Sequence, residues 1–74
     1  MDSIWLHRPG RGGGIDYICF RHPTQGRIEL LEGHHFPPQM PLLKHRSWIG
    51  SDQLSDCRRD YEQRQGYRHG PPLF

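Results

Sequence analysis

Alanine, valine and asparagine are absent from all 74 positions, and lysine occurs once, at Lys44, against nine arginines. Alanine and valine are the usual small fillers of cores, helices and strands, so this chain must build its interior from large side chains alone. Its hydrophobic content is 32% and its mean hydropathy -0.91. Below about 70 to 80 residues a single core rarely contributes more than roughly 3 to 5 kcal/mol without a disulfide, a metal or a partner. One small domain with a marginal core is therefore expected. No stretch reaches the roughly 18 apolar residues of a membrane helix, and no apolar run near Met1 forms a signal-peptide core. The expectation is a soluble, intracellular protein that does not engage a membrane. Cys19 and Cys57 could close one bridge, but two cysteines in a chain without a signal peptide are more often free buried thiols or metal ligands than a disulfide framework.

Glycine and proline are abundant, with nine and seven copies, and they punctuate the chain. Ile4-Trp5-Leu6 reads as a short edge strand that runs into Pro9-Gly10-Arg11-Gly12-Gly13-Gly14, a flexible loop. That loop has the composition of a phosphate loop but lacks the Gly-Lys-Ser/Thr ending, the GxGxxG spacing and a following helix. Ile15–Phe20 and Arg27–Glu32 are strand-like runs around Arg21-His22-Pro23-Thr24-Gln25-Gly26, which predicts a β-hairpin. Pairing Phe20 with Ile28 and Ile18 with Leu30 puts these four on one face, with Tyr17, Cys19, Glu29 and Leu31 on the other.

Three prolines between Pro37 and Pro41 exclude a helix and predict an extended linker packed by Phe36 and Met40. Pro38 and Pro41 form a PxxP, but no basic residue stands at the flanking position such ligands use. Ser51 is a suitable N-cap for a helix over roughly Asp52 to Gln65, with Gly66 as its stop. Leu54, Cys57 and Tyr61 fall on one face of it, enough for a narrow seam. The expected architecture is a small α+β fold with one β-hairpin, a proline-rich linker, one C-terminal helix and extended termini. Its segments are a flexible arm with the glycine-rich loop over 1–14, a ββα unit over 15–66 and an extended tail over 67–74.

Two constellations could carry chemistry. Cys19-x-x-His22, with His34 or His35 and Cys57, offers two thiolates and two imidazoles to a tetrahedral zinc ion, and binding would add folding free energy to a core-poor chain. The spacing is unfavourable, because zinc modules present ligands in close pairs and Cys57 has no near neighbour of that kind. The six histidines lack a nucleophile signature, the helix acids are spaced as a solvated face, and a chain of this size has little room for a pocket. Neither catalysis nor a small-molecule substrate is expected.

Arginine is the second constellation, since its fork binds phosphate bidentately and stacks on bases. Arg58, Arg59, Arg64 and Arg68, interleaved with Tyr61 and Tyr67, form a possible phosphate and stacking stretch, joined by Arg8 and Arg11 in the glycine loop. Against it stand four acids on the same helix and a net charge of only +2. The sequence therefore leads to a non-enzymatic accessory protein that docks on a larger protein or RNA-protein assembly. Trp5, Phe36, Trp48 and Phe74 are its expected anchors, and no cofactor is required. The alternatives are an autonomous zinc-stabilised module and the product of an unusual reading frame with no developed function.

Overall fold

The computed structural model describes residues 3–24 and 26–74, with the backbone alone at Pro23 and Thr24. Gln25, part of the expected turn, lies outside the described residues. The elements are β1 (Ser3–Pro9), β2 (Ile15–Thr24), β3 (Arg27–His35), β4 (Leu42–Gly50), a 3-10 turn (Ser51–Gln53), α1 (Leu54–Gln63) and β5 (Arg68–His69). They form one antiparallel sheet in the order β4-β3-β2-β1-β5.

A single hairpin with one helix and extended termini is thus not the architecture. Two strands alone are marginal in water, and β2 and β3 gain a neighbour on each side. The supposed arm is β1, paired with β2 from Ser3 opposite Arg21 to Pro9 opposite Ile15. The glycine loop is the β1–β2 turn, where Gly12, Gly13 and Gly14 all take positive φ. The proline-rich linker contracts to the β3–β4 connection, because β3 continues through His35 and the Gln39 N–H donates to the Phe36 carbonyl at 2.9 Å. Beyond it, residues 42–50 form β4 opposite β3.

The β2–β3 hairpin has Phe20 opposite Leu30 and Ile18 opposite Glu32, two residues from the expected register. The strands reach further into the turn than their apolar runs suggest, with Thr24 opposite Arg27 and a bulge between Arg21 and Thr24. Pro23 lies in that bulge, where its missing N–H is tolerated. A two-residue slip keeps every side chain on its face.

Both faces are buried. On the first, Leu6, Ile18, Phe20, Ile28, Leu30 and Tyr67 form a cluster, against which Leu54, Cys57 and Tyr61 of α1 pack. These three are the apolar positions picked out by helical spacing, and Tyr61 meets Phe20 edge-on at 6.2 Å. The segment starts at Gly50, whose N–H donates to Gln53 Oε1 at 2.9 Å, so Ser51 is not the cap. Gly66 at φ 77 turns the chain after α1. On the second face Trp5, Tyr17, Cys19 and Leu31 cluster under Leu73. Residues 70–74 cross this face as a strap: the Gly70 N–H donates to the Trp5 carbonyl at 3.0 Å, and the Phe74 ring meets Trp5 edge-on at 4.7 Å.

Candidate nucleic-acid interface

Strand alternation sends Arg21 of β2, Arg27 and Glu29 of β3, and Arg46 and Trp48 of β4 to the second face, next to the strap. Glu29 is 5% exposed. Its Oε1 accepts from Arg21 Nε at 2.9 Å and Nη2 at 2.6 Å, while Arg46 Nε lies 3.0 Å from its Oε2. One buried carboxylate thus fixes two guanidinium groups whose remaining N–H groups stay solvated. Opposite Glu29 stands Trp48, 45% exposed, with the Arg27 guanidinium 4.9 Å from its ring centroid. Three arginines against one acid leave the patch cationic, with an accessible indole at its edge. A groove of about 280 Å³ continues it, lined by Leu31, Met40, Leu43 and Phe74 and flanked by Arg21 and Arg46.

The arginines singled out in the sequence lie elsewhere. On α1, Arg58 pairs with Glu62 at 3.7 Å and Arg59 with Asp56 at 3.7 Å, and Arg64, just past its end, pairs with Asp60 at 3.6 Å. The helix acids therefore neutralise this surface locally. Arg8 is held against Asp16 and over the Tyr67 ring, 4.5 Å from its centroid, and its Nη1 donates to the Gln65 carbonyl at 2.8 Å. Tyr67 is buried at 6% and offers no stacking face. Arg11 and Arg68 are exposed, in the glycine turn and on β5. Among the expected anchors, Trp5 is a core residue, Phe36 lies 6.4 Å from His34 at the β3–β4 turn, and Trp48 and Phe74 present exposed rings.

The proposed zinc ligands are not brought together. Cys19 is in the second-face cluster and Cys57 packs on the first, so the sheet separates the two thiols. Among the described residues no group of three or more His, Cys, Asp or Glu is placed to hold a metal. Burial pushes the Cys19 thiol up to about 11 and raises that of Cys57 as well, which keeps both protonated at neutral pH. His34 serves another purpose: its Nδ1 lies 2.9 Å from Asp16 Oδ1 while Arg8 Nε donates to Oδ2 at 3.2 Å. Burial alone would raise the Asp16 pKa, but the hydrogen bonds from His34 and Arg8 and the Arg8 charge outweigh it and hold the carboxyl below its ordinary value.

A depressed carboxyl pKa contributes stability that is complete above the unfolded value of about 3.9 and is lost as pH falls through the lower folded value. Thermal melts taken from about pH 5 down to pH 2 should therefore show stability declining below about pH 4. Asp16→Asn should flatten that decline. An unchanged acid limb in the variant would remove Asp16 from the account.

The chain matches no protein-family model, and no curated protein or solved structure is significantly similar to it. Among the described residues no helix is long and apolar enough to cross a membrane. Any functional reading thus rests on the side chains themselves. Arg21, Arg27 and Arg46 escaped the sequence reading because their convergence depends on β4. Their signal is alternation: once residues 42–50 are a strand, positions 21, 27, 29, 46 and 48 share one face.

Proposed function

We propose that this chain is a non-enzymatic accessory protein that binds single-stranded RNA on the arginine-tryptophan face of its sheet, within a larger assembly. The observation that carries this reading is the half-exposed Trp48 with Arg27 over its ring, beside two guanidinium groups fixed by a buried carboxylate. An unpaired base stacks on an open indole without regard to sequence, and each such contact is worth roughly 1 to 3 kcal/mol. Arg21 and Arg46 then meet the flanking phosphates through the N–H groups that Glu29 does not use. The helix arginines, each facing an acid, have no part in it.

Fluorescence anisotropy of a labelled short oligouridine tests this. Two arginine-phosphate contacts predict a log-log salt slope of about -1.4, hence an affinity roughly seven-fold weaker at about 200 mM salt than at about 50 mM. Trp48→Ala should weaken binding by about ten-fold or more, while Arg58→Ala and Arg59→Ala leave it unchanged. No binding near the lower salt concentration, or a Trp48→Ala protein that binds as the parent does, would dispose of the proposal.

A further inference from the structure

The two edges of the sheet are finished differently. At one end β1 is covered by β5 at Leu6 and His7 and by the hydrogen bond from Gly70 to Trp5. At the other end β4 has a neighbour on one side only among the described residues, and residues 42–46 and 48 are all exposed. A strand in that position presents a row of N–H and C=O groups to solvent, a template for another strand. Glu32 pairs with His45 and Gly33 with Leu43, so Lys44 is the extra residue of a bulge and the regular part of the edge runs from His45 to Gly50.

Charge decides what can add to it. Lys44, His45 and Arg46 are consecutive, so the first half of this edge is basic, and any register that lays it along the same stretch of a second copy brings like charges together, which is destabilising. Along the regular part, Arg46 and Trp48 project to the second face while His45, Ser47 and Ile49 project to the first. The complementary segment carries an acid beside Arg46 and an apolar residue beside Trp48, two positions along on the same face.

We infer that the β4 edge is a docking site for an extended acidic peptide segment of a partner protein, added as a sixth strand along His45–Ile49, short of Gly50, whose N–H is taken by Gln53. Main-chain hydrogen bonds provide the attachment, and the pair Arg46 and Trp48 selects the sequence. This site is the edge of the sheet and does not require RNA on its face.

The test uses the full chain and a capped peptide of about eight residues in which aspartate and valine alternate at every second position with threonine between them, so that both lie on one face of the added strand, read by amide hydrogen exchange and isothermal titration. Exchange should slow at amides between His45 and Ile49 and remain as before in α1. A peptide with lysine in place of aspartate should bind at least about ten-fold more weakly, as like-charge juxtaposition predicts, and one with a central proline should not bind. The double variant Lys44→Glu with His45→Glu, both exposed side chains, should bind the acidic peptide several-fold more weakly, since two acids now flank Arg46, while RNA affinity retains its dependence on Trp48. Equal binding of the proline peptide, protection outside β4, or self-association of the chain without peptide would overturn the inference. An RNA-binding failure with normal peptide binding would strike only the RNA proposal.

Discussion

Gly33→Ala is expected to destabilise the fold by about 3 kcal/mol or more, through overpacking that no rotamer can relieve. Gly33 stands opposite Tyr17 in the β2–β3 pairing, and a Cβ there would run into the Leu42 carbonyl and the Tyr17 hydroxyl. The Tyr17 hydroxyl donates to that same carbonyl at 3.0 Å. Tyrosine, glycine and the start of β4 thus lock three strands at one point, beside the bulge at Lys44. In a domain of this size about 3 kcal/mol lowers the melting temperature by roughly 12 to 24 °C. Tyr17→Phe, which keeps the ring and loses the hydrogen bond, should cost only about 1 kcal/mol. Adding Tyr17→Ala to Gly33→Ala should give a loss smaller than the sum of the single losses, since the ring clash disappears while the carbonyl clash remains. A Gly33→Ala protein melting within a few degrees of the parent would show that this crossing is not tight.

The β2–β3 hairpin and the segment occupied by α1 were legible in the sequence because their cues are local: apolar runs around a Pro-Gly turn, and Leu54, Cys57 and Tyr61 at helical spacing. Residues 42–50 carry no such cue. Leu-Leu-Lys-His-Arg-Ser-Trp-Ile has no period of two, since an edge strand exposed on both faces buries little, and its order comes from pairing with β3. The second buried face was present in the sequence as the unbroken runs Tyr17-Ile18-Cys19-Phe20 and Leu30-Leu31, which suit strands covered on both sides. What covers it could not be read, because the strap is a Pro-Pro-Leu-Phe segment with no periodicity. The candidate interface was invisible for the same reason: Arg21, Arg27 and Arg46 are scattered in sequence and meet only in the register of β2, β3 and β4. The arginines that looked clustered, Arg58, Arg59 and Arg64, are interleaved with acids at three- and four-residue spacing, and those acids are their partners.

Removing the charge at Glu29 should move stability and RNA affinity in opposite directions. Glu29→Gln leaves Arg21 and Arg46 side by side over a buried amide, one end of which presents N–H groups to guanidinium donors. Breaking a buried ion pair costs about 3 to 5 kcal/mol, and because both arginines are partly solvated the expected loss here is nearer about 2 kcal/mol. The face of the sheet gains one unit of positive charge at the point where phosphate is proposed to bind. At low salt the folded variant should therefore hold oligouridine several-fold more tightly than the parent, with a steeper salt dependence. Chemical denaturation and anisotropy on the same preparation measure both effects. A variant as stable as the parent would show that the carboxylate carries no structural weight, and a variant with weakened RNA binding at full folding would show that the arginines bind phosphate only while Glu29 aims them.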